Sequence, residues 1–463
     1  MVIRKISVGG VWQAGRRGTP RKRYGSLLLI VCVWLVPQVW GQSIPAAPPR
    51  LSVTSSQVDV PRQLTLEAAE QLLVQYNLAV LAARYGVDTA RAQRLIASVR
   101  PNPTLTLGAE QFDLAAPGRH PFSNSNSAAN RTYTARLDQV FERGNKRALR
   151  TAAADLQVQA AEAQVLDTIR TQVLQLRQAF YTAVLARDNV QVARENLALT
   201  QETERLITTR VKAGDAPEWD LLKFQASKVQ FERDLVTARL LYQQAVRDVL
   251  TFVGVALPAA DPPLEVIGEL RGEPPAVAVS LEELRQAALD ARPDVLAAQR
   301  NVEAARRSLD LAYAQRHRDI DVALEYQRIG SDNTVGATVS FPLFLSHKFE
   351  GQISQGLAQV QQVNVAFDHA KVQAIADVEK AYQAYQASRQ VLQVYTTEAL
   401  AKAEASFRIA GASYRQGATS LLELQEAQRT LNQTRVAANQ AAFDYRMSLA
   451  QLEQATGKRV VTP

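Results

Sequence analysis

The chain has 463 residues, 47% of them hydrophobic, with a formal charge of +8 and a single cysteine. Seven basic and no acidic residues fall within the first 41, so the remainder carries about +1 and has no basic excess for nucleic acid. Cys32 lies in the same segment, which leaves the rest without a disulfide or a thiolate metal site.

That first segment has the parts of an export signal. Arg4, Lys5, Arg16, Arg17, Arg21, Lys22 and Arg23 precede the apolar run Gly25 to Val36, about twelve residues long, and cleavage is expected near Gly41. A run of that length is too short to span a bilayer, and no later stretch reaches the roughly eighteen apolar residues of a membrane helix. An exported chain of this kind belongs either to the soluble periplasm or to an outer-membrane barrel. Residues 42–62, with Pro45, Pro48, Pro49 and Pro61, read as an extended tether, and a second proline-rich stretch, 257–280, reads as a linker.

The linker separates two copies of one unit, 63–256 and 281–457, followed by a short tail, 458–463. A shift of 215 lays Leu66-Glu67 on Leu281-Glu282, Val80-Leu81-Ala82-Ala83 on Val295-Leu296-Ala297-Ala298, and Glu110 on Glu325. A shift near 203 carries Gly214 onto Gly417. A period near 200 is a duplicated domain rather than a solenoid. Each copy is expected to run helix, two strands, very long helix, tight turn, helix. From Asn145 to Ala213 there is neither glycine nor proline, and Ala, Gln, Leu, Arg and Glu dominate, which predicts a rod of roughly 100 Å. Its counterpart is expected over 357–410.

Two segments in each copy alternate with period two, predicting strands at 104–112, 132–141, 319–328 and 334–344. Leu105, Leu107, Tyr133, Leu137, Val322, Leu324, Val335 and Val339 take one face. The other takes threonines with Glu110, Arg136, Asp138, Asp321 and Glu325. A soluble sheet needs a core to cover its apolar face, and no amphipathic segment remains for that, whereas lipid covers it in a membrane while the charged face lines water. Four strands cannot close, and an open edge is forbidden in lipid, so strands must come from several chains; three supply twelve. The polar stretch 113–131 reads as a flexible outer loop.

Leu64-Thr-Leu-Glu-Ala-Ala-Glu70, Arg100-Pro-Asn-Pro103, Phe141-Glu-Arg-Gly-Asn-Lys-Arg147 and the turns Arg210-Val-Lys-Ala-Gly-Asp215 and Ser413-Tyr-Arg-Gln-Gly-Ala418 together resemble the TolC-like outer-membrane efflux family over about residues 62–458. Arg-Gly-Asn-Lys-Arg is similar to its heavy-metal (cobalt, zinc, cadmium) branch. The resemblance implies a mainly α protein with a membrane β-barrel: a homotrimer with a twelve-stranded barrel surrounded by outer-membrane lipid, and a periplasmic α-barrel. Its tips, with Arg210, Gly214, Trp219, Tyr414 and Gly417, would dock a periplasmic adaptor joined to an inner-membrane pump of the RND type. It further implies a periplasmic gate at Glu423 and Glu426, with Thr419 where the family carries an arginine lock. No catalytic motif, metal-ligand spacing or cofactor fingerprint is present in the sequence, so an enzyme is not expected. Three readings stand: an efflux duct, the outlet of a type I protein secretion system, and a periplasmic adaptor, against which the duplicated strand pairs argue.

Overall fold

The computed structural model describes residues 62–111, 131–254, 265–271 and 279–459, all within one compact unit. The signal segment, nearly all of the tether, almost the whole 113–131 loop and much of the linker lie outside these residues.

The elements repeat in order. The first copy holds β1 (Gln63–Leu64), α1 (Leu66–Tyr76), α2 (Leu78–Ser98), β2 (Thr104–Glu110), β3 (Thr132–Phe141), α3 (Lys146–Ala213) and α4 (Glu218–Val253). The second holds β4 (Glu265–Val266), α5 (Leu281–Ala291), α6 (Pro293–Ala314), β5 (Ile320–Ile329), β6 (Asp332–Ser340), α7 (Glu350–Val394), α8 (Leu400–Arg415) and α9 (Leu421–Thr456). Among the described residues no helix is long and apolar enough to cross a membrane.

The described elements depart from the expected order in three places. The helix before the strands is two helices in each copy. In the first, Asn77 Oδ1 accepts from Ala79 N and Val80 N, starting α2 where α1 ends, while Asn77 Nδ2 donates to Phe252 O at 2.8 Å. In the second, Pro293 at the first position of α6 removes the N–H that α5 would need to continue. The second long helix begins at Glu350 rather than Leu357, and a π turn, Tyr395–Ala399, divides it. The inter-repeat stretch contributes to the core: β4 pairs in parallel with β1, Glu265 against Gln63 and Val266 against Leu64, burying Val266 and Leu270.

The strands assemble as one antiparallel sheet in the order β2-β3-β5-β6, so the two copies meet at β3 and β5. The expected strands at 104–112, 319–328 and 334–344 run 104–110, 320–329 and 332–340. Gln111 at φ 66° ends β2, and the second hairpin closes over Gly330-Ser331. Apolar burial lies elsewhere. One cluster gathers Leu73, Leu176, Phe180, Val249, Leu284, Tyr385, Tyr445 and Leu452 from α1, α3, α4, α5, α7 and α9. A smaller one holds Ile207, Phe224, Tyr414 and Leu424 where the long helices turn back.

Candidate conduit, gate and tip residues

The sheet register sorts its side chains by chemistry. Residues directly opposite in antiparallel strands share a face, and Thr106 stands opposite Arg136, which stands opposite Glu325, which stands opposite Gly336. That face therefore carries Glu110, Arg136, Asp138, Asp321 and Glu325 together, and the opposite face carries Leu105, Leu107, Tyr133, Leu137, Leu324, Tyr326, Val335 and Val339, all exposed. Arg136 forms ion pairs with Asp138 at 2.9 Å and Glu325 at 3.6 Å. Four carboxylates against one guanidinium leave this polar face negative. The strands at the sheet's two edges, β2 and β6, each pair on one side only.

Both copies start their long helix from a left-handed residue other than glycine, Asn145 at φ 56° and Phe349 at φ 64°. Lys146, the first residue of α3, is buried and its ammonium reaches Asp319 at 2.8 Å, which ties the two copies together where sheet meets helices. Gly144, at φ 73°, packs so tightly that a Cβ would stand 2.7 Å from the His317 ring.

At the far end, Gly214 (φ 80°) and Gly417 (φ 74°) terminate α3 and the α8 hairpin arm. Gly214, Gly417 and Trp219 are exposed, and Lys223 stands 5.0 Å over the Trp219 ring. Arg210 and Tyr414 face inward instead. The Arg210 guanidinium donates to Tyr414 O at 3.1 Å and Asp215 O at 3.3 Å and lies 4.9 Å over the Tyr414 ring, which is only 3% exposed. Tyr414 is therefore not an open contact residue. With Arg210 it fastens the two tips to each other, and burial pushes its phenol above the ordinary value.

Glu423 and Glu426 lie in the first turns of α9, both exposed. Glu423 also belongs to a capping box: its N–H donates to Ser420 Oγ at 3.3 Å and its carboxylate accepts from Ser420 N at 3.4 Å. Glu426 has no ion-pair partner among the described residues. Thr419 is half-buried, and its hydroxyl has no hydrogen-bond partner among them.

Against this geometry, the profile of the outer membrane efflux protein family matches residues 69–255 and 284–458, both copies and most of the chain. The chain belongs to the outer membrane efflux protein family. As a member it resides in the Gram-negative outer membrane and extends into the periplasm. The cobalt-zinc-cadmium resistance protein CzcC of Cupriavidus metallidurans is 25% identical to it over 380 residues, 81% of this chain and 85% of that protein. The pyoverdine export outer membrane protein OpmQ of Pseudomonas aeruginosa is 26% identical over 411 residues, 83% and 82% of the two chains. In fold it matches the Campylobacter jejuni CmeC outer membrane channel with a TM-score of 0.70, at 15% identity, covering 85% of each chain.

Within this efflux protein, sequence reasoning missed two polar constructions. One is a buried ladder between α3 and α9: Asn196 donates to Asn432, Gln428 donates to Thr200 Oγ1 at 3.0 Å, and Asn439 donates to Asn189 at 3.0 Å. The other is an ionic knot at mid-height. Arg292, 3% exposed, pairs with Asp294 at 2.7 Å and Asp377 at 2.9 Å, and Arg177 pairs with Glu70 at 2.6 Å and Glu453 at 2.5 Å. Burial pushes the Asp294 carboxyl up, but the hydrogen bond and charge of Arg292 outweigh it and hold the group below the ordinary carboxylate range. Neither construction has a sequence signature, because apart from Arg292 with Asp294 the partners lie far apart in the chain.

Proposed function

We propose that three copies of this chain close a twelve-stranded barrel through the outer membrane, continued by a periplasmic helical duct. Through it, cargo delivered by an inner-membrane pump of the RND type and a periplasmic adaptor passes passively to the exterior. The observation that carries this reading is the sheet. It is polar on one face, apolar and exposed on the other, with β2 and β6 unpaired on their outer sides, and lipid tolerates no such edge. Joining β6 of one copy to β2 of the next removes every edge. An exposed stripe along α4, Leu222, Val229, Val236 and Leu240, recurs at helical spacing and supplies a seam for a neighbouring copy.

The cargo proposed is a metal cation. The name of the CzcC relative supports it, as does the excess of carboxylates over Arg136 on the polar face. Glu423 and Glu426 from three copies would place six carboxylates around the periplasmic aperture. In this reading Thr419 supplies no arginine lock, and the tips are held by Arg210 and Tyr414. Gly214, Trp219 and Gly417 are the outward contacts offered to an adaptor.

The test is the mass of the mature chain extracted from outer membranes and measured by light scattering in detergent. A trimer supports the reading, and a monomer that partitions with the soluble periplasm overturns it.

A further inference from the structure

Past the helix-side ends of the strands the apolar face continues and gains positive charge. The alternation of β6 runs on beyond Ser340 through Phe341, Leu343 and Leu345, exposed by 52%, 61% and 87%. In the pairing of β3 with β5, Phe141 stands opposite Ile320, and the next residues of the same parity are Arg143 and Arg318. The Arg318 guanidinium is held 6.0 Å from the Phe341 ring and 5.7 Å from the Phe344 ring. Arg147 and Lys348 are exposed in the same junction.

Of the carboxylates nearby, Asp321 lies on the opposite, polar face and the others are engaged. Asp319 accepts from Lys146 Nζ at 2.8 Å and from Arg143 N at 2.9 Å, Glu142 pairs with Arg150 at 2.9 Å, and Glu350 accepts from Lys348 N at 2.7 Å. Among the described residues, Arg143, Arg147, Arg318 and Lys348 have no carboxylate at ion-pair distance. At the other end of the sheet Arg328 shares the apolar face with Tyr133, while Glu110 and Asp332 fall on the polar face. The collar is thus a cationic rim without paired carboxylates, directly bordering an exposed aromatic and aliphatic band at the helical end of the sheet.

We propose that this collar binds the anionic headgroups of phospholipids in the periplasmic leaflet of the outer membrane, with their acyl chains on the Phe341, Leu343 and Leu345 band. The inference rests on the reading that the strands span that membrane. A guanidinium offers paired donors that match a phosphodiester. A guanidinium already stacked on phenyl rings loses little freedom on binding. The long arginine stems lie along apolar surface while their heads reach the headgroup layer. Basic residues beside an anionic membrane surface each favour association by about fivefold.

The full-length mature protein, extracted from outer membranes and stripped of lipid, tests this by native mass spectrometry in micelles holding equal phosphatidylglycerol and phosphatidylcholine. Phosphatidylglycerol retained over phosphatidylcholine by at least about tenfold is expected. That preference should fall to near parity in Arg143→Gln/Arg318→Gln and persist largely in Arg143→Lys/Arg318→Lys. Equal retention of the two lipids by the unmodified protein overturns the proposal without recourse to any variant, as does a glutamine pair that keeps the full preference. Displacement of the lipid by millimolar inorganic phosphate overturns it too, since the site would then be one for free anions. A protein absent from the outer membrane brings down the membrane reading together with the proposal; one that is present but indifferent to headgroup charge brings down the collar alone.

Discussion

Arg210 and Tyr414 make one of the closest ties between the two tips, and each depends on the other. The guanidinium lies over the ring and bonds the backbone oxygen of the same residue, so Arg210→Ala removes a charged hydrogen bond and a cation–π contact, a loss of about 1–3 kcal/mol locally. Hydrogen exchange of amides near 207–224 and 414–424 should accelerate in this variant while exchange near Leu176 and Tyr445 stays as it was; uniform exchange would show that the tie holds nothing. Arg292 sets a second expectation. Arg292→Ala strands Asp294 and Asp377 in a partly buried site and should cost about 3–5 kcal/mol, read as a lowered melting temperature. Because the folded-state pKa of Asp294 is depressed, its contribution is present above the ordinary carboxylate pKa near 4 and is lost as pH falls through its lower folded value. Asp294→Asn should therefore be less stable than the parent at pH 7, with the gap narrowing as the pH drops below about 4. A gap that does not change with pH would remove the ion pair from the account. At this scale the sequence was least informative. Arg210 and Tyr414 read as tip contacts because the family resemblance places them at the paired turns, and only the packing of α8 against α9 and α3 reveals that Tyr414 is enclosed.

Elements were legible where one physical rule governs many residues. Sixty-eight residues without glycine or proline made α3 readable almost to its ends, and period-two alternation located β3 to the residue, because a single misplaced side chain would turn the whole strand over. Elements governed by one or two residues were not legible. The split at Asn77 depends on a single amide capping α2 while reaching Phe252, the π turn at Tyr395–Ala399 follows no composition rule, and β1 and β4 are two residues each. The start of α9 lies between these cases, since Ser420-x-x-Glu423 is a capping-box pattern visible in the chain, while the gate reading drew attention to the same carboxylate for a different reason. Ser420→Ala should loosen the first turn of α9 by about 1 kcal/mol, seen as faster amide exchange at Glu423 and Leu424, and Glu426→Gln should leave that exchange unchanged. The reverse pattern would mean that the capping box does not hold this turn.

For the whole molecule, the sheet and the helices divide the work. The helices bury an apolar core of their own, so the chain folds as two joined copies, whereas the sheet leaves its apolar face and both edges open, and only other copies and lipid can complete it. The duplicated order was readable from the 215-residue shift, since a whole domain repeats and every element is displaced alike. The ionic knot and the α3–α9 ladder, which fix how the two copies lock, were not readable, because apart from Arg292 with Asp294 they join residues 85 to 276 positions apart. Single-channel current across a planar bilayer is the measurement that bears most directly on the conduit. Discrete openings are expected, with cation selectivity set by the carboxylate-rich polar face and the periplasmic glutamates and reduced in Glu423→Gln/Glu426→Gln. Trimeric protein that inserts and passes no current, or passes anions in preference, would contradict this.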